Sequence, residues 1–221
     1  MAHRLDASVD PPVHGTWSVI LLGDWGRWVR DPIDLIRLSF LVGALVTLAI
    51  GPREQAFRLL LTFLLVLVPR AIDAPRPFDF AFCLGMAFQA WGNVFAAFDT
   101  VPLYDKLVHL ILPWATSMLL YLLLVRINVV PALEEESAIH TRAALLLVTF
   151  AFGMSVGALY EMYEYFGNHV LGAHLHVSYG DTIADLTADA VGSTLGGLTM
   201  VAWDRYGWAS RRRVPGRLLE R

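Results

Sequence analysis

Long apolar runs separated by short polar breaks dominate this chain, and their spacing predicts its elements. Six stretches are apolar enough and long enough to read as membrane-spanning helices: 33–50, 55–72, 78–98, 107–125, 143–166 and 182–203. Asp31-Pro32 starts the first and Gly51-Pro52 ends it, with Arg37 placed to snorkel toward the surface. The second has a dense apolar core over 59–68, framed by Arg58 and Arg70, whose side chains reach headgroups from a short span. The third sets Gly85, Ala87, Ala90 and Gly92 among aromatics, and its amides Gln89 and Asn93 require partners inside a bundle. Pro113 breaks the fourth one turn after His109. Residues 128–141 form a polar loop whose Glu134, Glu135 and Glu136 read as a solvated face.

The flanks are of another kind. Residues 1–32 comprise a disordered leader and, over 17–30, an interfacial helix or irregular linker with three tryptophans, Arg27 and Arg30. Residues 33–203 form the membrane domain, and 204–221 a basic cytoplasmic tail. The expected fold is all-α: a polytopic integral membrane bundle of about six transmembrane helices with both termini cytoplasmic.

Composition agrees with that class. Of 221 residues 56% are hydrophobic and only 17% charged, where a soluble domain carries about a quarter. The single cysteine, Cys83, excludes a disulfide framework and a cysteine zinc knuckle. The leader lacks the early apolar segment of a signal peptide, so the first span is expected to direct insertion. With six spans, 14 of the 17 Lys and Arg residues share the face of the termini, leaving Arg53, Arg58 and Lys106 opposite. The positive-inside tendency then assigns that face to the cytoplasm. It also carries Asn93, Asp105, His109, Glu161, Glu164, Asp181, Asp185 and Asp189 to the outer ends of four helices, at one depth.

The chemistry concentrates there. Asp181, Asp185 and Asp189 recur at i, i+4 and i+8 and stack on one helical face, continued by Gly192 and Gly196. Gly153, Gly157, Glu161 and Glu164 form a matching stripe, and the small residues predict close packing of the two helices. Carboxylates so crowded must be protonated, paired with Lys106 or bridged by a cation. The candidate metal ligands are Asp105, His109, Glu161, Glu164, Asp181, Asp185 and Asp189; the candidate catalytic bases are His109 and Glu161. Carboxylates with one imidazole suit zinc, manganese or iron, and an oxygen-only subset suits magnesium or calcium. Against a metal stand a proton-sharing or salt-bridged network around Lys106, and simple solvation at the interface. Asp181 and Thr182 are also ordinary N-cap residues. His109 shares a face with Asp105, which can orient its ring or merely fix the helix. His169, His174 and His176 either complete the site or are solvated. Tyr160, Tyr163, Tyr165 and Tyr179 fit an aromatic belt, with one placed to donate a proton to a bound oxyanion. No phosphate-binding glycine loop, nucleophile elbow or basic recognition helix is present, which excludes a nucleic-acid partner.

Three segments carry a family resemblance: Tyr104-Asp105-Lys106-Leu107-Val108-His109, Ala158-Leu159-Tyr160-Glu161-Met162-Tyr163-Glu164, and Gly180-Asp181-Thr182-Ile183-Ala184-Asp185-Leu186-Thr187-Ala188-Asp189. Their order and spacing resemble the YjdF-like (DUF2238) bacterial inner-membrane proteins of unknown function, over about residues 35–203. Tyr165 stands where that family often has Trp, and the connection to the third segment is compact and histidine-bearing. The pattern is more distantly similar to VanZ-like membrane proteins, which implies cell-envelope or lipid-linked roles. The resemblance implies a multi-pass protein of the bacterial cytoplasmic membrane and assigns no substrate.

Three functions follow as expectations. One is a divalent-metal-dependent enzyme with an outer-facing site, acting on a lipid or lipid-linked substrate. Another is a small metal-ion or proton-coupled transporter, although Ser155, Ser193, Thr194 and Thr199 offer only a thin inward path. The third is a structural or accessory envelope protein. Expected partners are membrane lipids, anionic lipid at the basic C-terminal tail, a lipid-linked substrate and a second copy of the chain in a homo-oligomer.

Overall fold

The structure, a computed structural model, describes residue 29 and residues 31–72, 74–127, 129–130, 139–171 and 178–206. The described residues are all-α: α1 (Pro32–Ile50), α2 (Arg53–Val66), α3 (Val68–Ala71), α4 (Arg76–Val94), α5 (Ala97–Thr100), α6 (Tyr104–Arg126), α7 (Ile139–Leu171) and α8 (Tyr179–Tyr206). The leader, the 131–138 part of the polar loop with its three glutamates, His174, His176 and the tail beyond Tyr206 lie outside the described residues.

Local sequence explains the helix ends. The Asp31 carboxylate caps α1, accepting from the Ile33 N–H at 2.9 Å, and Pro32 supplies the preset first turn. At α8 the cap is Ser178, whose hydroxyl accepts from the Asp181 N–H at 3.1 Å. The helix thus begins earlier than the Asp181-Thr182 pair suggested, and the Asp181 carboxylate is free for other contacts. Two residues without a glycine's latitude, Ala96 (φ 54°) and Leu103 (φ 61°), adopt the left-handed conformation and bracket α5. They turn the chain sharply from α4 into the first residues of α6. Pro113 does not break α6, which runs 23 residues through it. The proline instead lacks the N–H that would bond the His109 carbonyl one turn back.

The expected count of six spans is corrected. Among the described residues three helices are long and apolar enough to cross a membrane: Pro32–Ile50, Tyr104–Arg126 and the Arg142–Val170 part of α7. α2 stops after 14 residues, where Leu67 and Pro69 interrupt the apolar run. At 1.5 Å per residue it reaches about 21 Å, short of the roughly 30 Å hydrocarbon core. α4 and α8 have the length, with 19 and 28 residues, but not the composition. Arg76, Asp79, Gln89 and Asn93 dilute the first, and Asp181, Asp185, Asp189 and Asp204 the second. With six spans gone, the argument that returned both termini to the cytoplasm also goes.

Two groups of helices share one core. α6, α7 and α8 pack most closely, while α1, α2 and α4 form a second group joined to them where α4 lies against α6. Phe40, Leu59, Val66 and Phe78 fill one side of the core and Met118, Leu122, Val125 and Met200 the other, all nearly inaccessible. The close approach of α6 and α8 depends on Gly192, where an added methyl group would run into the Leu110 carbonyl oxygen. At Gly157 on α7 it would run into the Asp189 carboxylate. The small-residue stripes are therefore where backbones and acids meet.

At one end of the second group lies a charge network. Arg37 donates to Asp34 at 2.8 Å, to the Val66 carbonyl at 2.8 Å and to Asp79. Arg70 reaches Asp34 at 2.5 Å, and Arg76 stands 3.7 Å from Asp31. Arg37 is only 3% exposed, so it does not snorkel. It joins α1 to α4 and to the end of α2.

Candidate metal centre

The site forms where α6, α7 and α8 converge. α6 contributes Asp105, Lys106 and His109 in its first turns; α7 contributes Glu161; α8 contributes Asp181, Asp185 and Asp189 on the one face that their four-residue spacing predicts. His109, Glu161, Asp185 and Asp189 are all buried, the last with no accessible surface. The expectation of an outer-facing site is corrected accordingly: the cluster is buried within the bundle.

His109 is the hub. Its Nδ1 lies 3.0 Å from Asp189 Oδ1. A carboxylate can only accept, so the Nδ1 proton is donated to it, and Nε2 is the ring atom left to carry a proton or meet a metal ion. That atom is buried and has no hydrogen-bond partner. Around it stand Asp105 Oδ1 at 3.7 Å, Glu161 Oε1 at 3.8 Å and Asp185 Oδ1 at 3.9 Å. These separations are too long for hydrogen bonds. They are close to the roughly 3.4 Å between two donors each about 2.1 Å from a tetrahedral zinc. Asp105, His109 and Asp185 bring one ligand atom each within 4.8 Å of one another, a group that could hold a metal ion. Glu161 Oε1 and Asp189 Oδ2 are also buried without partners.

Lys106 is the cluster's amine. Its Nζ donates to Asp181 Oδ1 at 2.5 Å, to Asp185 Oδ1 at 2.7 Å and to Asp105 Oδ2 at 3.1 Å. The side chains of Lys106, Asp105 and Asp181 are 27%, 32% and 29% exposed, so one rim of the cluster is accessible. The opposite side is shut. Asp189, Ser193 and Ser117 have no accessible surface, and the Gly192–Leu110 contact lies just beyond.

Of the other expected members, Glu164 is half-buried one turn past Glu161 on α7, near enough to feel the charges of Glu161, Asp105, His109 and Asp185. Asn93 accepts from Arg58 Nη1 at 3.0 Å and donates to the Gln89 carbonyl at 2.8 Å, so the fourth helix does not bring it to the acids. His169 is exposed, stacked on Tyr165 with Nδ1 2.9 Å from that residue's carbonyl. Sequence reasoning missed the link between Gln89 and Tyr160: Gln89 Nε2 donates to the Tyr160 hydroxyl at 2.8 Å, and the Tyr160 ring meets His109 edge to face at 5.5 Å. The buried amide in the third apolar run was its one signal.

An all-α membrane protein with a buried aspartate–histidine cluster able to coordinate a metal ion is the class these observations define. The chain matches the predicted membrane proteins of the DUF2238 family over residues 33–206, and it belongs to that family. No curated protein and no solved structure matches it.

Proposed function

We propose that the protein is a divalent-metal-dependent enzyme of the bacterial cytoplasmic membrane, acting on a lipid or lipid-linked substrate. The observation that carries the reading is the buried, unpartnered Nε2 of His109, ringed by three carboxylate oxygens at 3.7–3.9 Å. Nε2 in that setting is left without a partner at hydrogen-bond distance, and a divalent ion would bridge it to the surrounding carboxylates. His109, Asp105 and Asp185 hold the metal, and Glu161 stands beside it. Asp189 fixes the ring by accepting the Nδ1 proton, the supporting role that carboxylates play behind ligating histidines. A bound divalent metal supplies Lewis acidity to an ester or phosphoryl oxygen. Of the two candidate bases, Glu161 is favoured, because both nitrogens of His109 are engaged. Its Oε1 takes the proton of an attacking water and returns it to the leaving group.

The accessible rim, the one opening to the cluster among the described residues, supports an enzyme over a transporter. A conduit needs a second opening, and the closely packed α6–α8 contact lies across that route. Tyr179 and Ile183 expose apolar surface on the α8 turn that carries Asp181, which suits an amphiphilic substrate. The three bonds of Lys106 favour the rival reading, a salt-bridged structural network. Anionic lipid at Arg211, Arg212 and Arg213 and association into homo-oligomers belong to the same proposal.

Elemental analysis of gently purified protein tests the first step. About one equivalent of zinc, manganese, iron or magnesium is expected, lost in His109→Ala, with chelation lowering the unfolding temperature as ligand linkage requires. The second step is incubation of metal-loaded protein with a polar lipid extract, followed by mass spectrometry. Glu161→Gln should keep the fold and abolish turnover. No stoichiometric metal and no thermal response to any added ion overturns the reading in favour of the network.

A further inference from the structure

Lys106 binds the very carboxylates that the metal requires. Its ammonium takes Asp185 Oδ1 at 2.7 Å, the same oxygen that faces His109 Nε2 at 3.9 Å. It takes Asp105 through Oδ2 at 3.1 Å, while Oδ1 of that carboxylate faces His109 at 3.7 Å. Its shortest bond, at 2.5 Å, goes to Asp181, which lies outside the ligand trio. The acids alone would not define a site. The buried unpartnered atoms aimed into them, His109 Nε2 and Glu161 Oε1, are the independent sign that a cation belongs there; those residues are only 4% and 7% exposed.

We propose that Lys106 is a resident competitor of the metal, and that Asp181 is the berth to which its ammonium withdraws when the metal binds. The inference rests on the metal reading above and adds a regulation to it. Without metal, the ammonium neutralises Asp185 and Asp105 and keeps the acidic cluster folded. As a divalent ion enters, Asp185 exchanges the ammonium for the metal, and the Lys106–Asp181 pair remains at the accessible rim. The carboxylate that holds the lysine aside therefore raises metal affinity without ligating. Removing Asp181 leaves the ammonium fully committed to the ligands. Removing Lys106 leaves Asp181 with nothing to hold.

Equilibrium dialysis of the full-length protein in detergent against zinc alone, and against manganese(II) alone, tests this. Lys106→Met is expected to bind at least tenfold more tightly than the native chain, and Asp181→Asn at least fivefold more weakly. Glu164→Gln, at a half-buried carboxyl near the cluster that is not bonded to Lys106, is the comparison and should shift affinity less than Asp181→Asn does. The deciding measurement is the pair: in a Lys106→Met background, Asp181→Asn should change affinity by less than twofold, because it acts only through the lysine. Equal or weaker binding by Lys106→Met overturns the proposal while leaving the metal site standing. An additive double variant does the same, since both residues would then act as plain charges. If Lys106→Met does not fold, Asp181→Asn against Glu164→Gln decides alone, and equal losses overturn the proposal. Absence of binding in every chain overturns both this inference and the metal reading.

Discussion

The arginine–aspartate network of α1 and α4 and the carboxylate–imidazole cluster of α6, α7 and α8 are both buried, yet their charges are met differently. In the first, three guanidiniums, Arg37, Arg70 and Arg76, face three carboxylates, Asp31, Asp34 and Asp79. In the second, one ammonium faces Asp105, Asp181 and Asp185, while Glu161 Oε1, Asp189 Oδ2 and His109 Nε2 lack partners. Burial of charge is costly in both places. A balanced network meets that cost with internal pairs and fixes helix positions. An unbalanced one remains tolerable when something outside the chain completes it. The difference suits the first to holding helices and leaves the second able to take a metal ion.

The largest expected effect comes from breaking the balanced side. Arg37→Met strands Asp79 and leaves Asp34 to Arg70 alone, around a guanidinium whose side chain is only 4% exposed, and should cost about 3–5 kcal/mol in detergent unfolding. A loss below about 1 kcal/mol would show that the network is not what holds α1 to α4. Next, Gly192→Ala forces a methyl group against the Leu110 carbonyl, and overpacking of this kind costs about 1–3 kcal/mol. Metal affinity should fall with it, because Leu110 adjoins His109; unchanged affinity would separate packing from the site. Asp189→Asn sharpens the unbalanced side. The amide holds the ring less firmly, so zinc affinity in dialysis should drop about 10–100-fold with helicity by circular dichroism retained. An undiminished affinity would remove Asp189 from the orienting role. The smallest effect belongs to Gly180→Ala, where nothing lies within 4 Å of the added methyl group; unfolding should shift by no more than about 0.5 kcal/mol.

Much of the site was legible because helical periodicity is a strong signal. Asp181, Asp185 and Asp189 share a face at four-residue spacing, and the facing glycines marked α7 and α8 as close neighbours. Asp105 and His109 shared a face one turn apart on α6, but only the six-span topology, since corrected, had carried them to the depth of the other acids. The fold was legible as all-α and membranous but not in its count of spans. An apolar window does not register that α2 ends before Pro69, nor that polar residues along α4 and α8 face inward. The arginine network escaped because Arg37 and Arg70 lie near span ends, where snorkelling is the ordinary expectation. Only tertiary structure brings Arg37 to Asp79, 42 residues away. Gln89 and Tyr160, 71 residues apart, were hidden for the same reason.

The Gly192–Leu110 contact also bears on which ions the protein can distinguish. Side chains between two helices can repack and let them part, but backbone against backbone leaves no such slack. Here that contact falls one residue past His109 on α6 and three past Asp189 on α8, so it works as a calliper set across the donors. Calcium prefers six to eight oxygens at about 2.3–2.6 Å in a pliant cage, whereas zinc accepts four donors at about 2.0–2.2 Å. On the metal reading proposed above, a gauge closed on glycine favours the smaller ion, and a single β-carbon at position 192 would reset it.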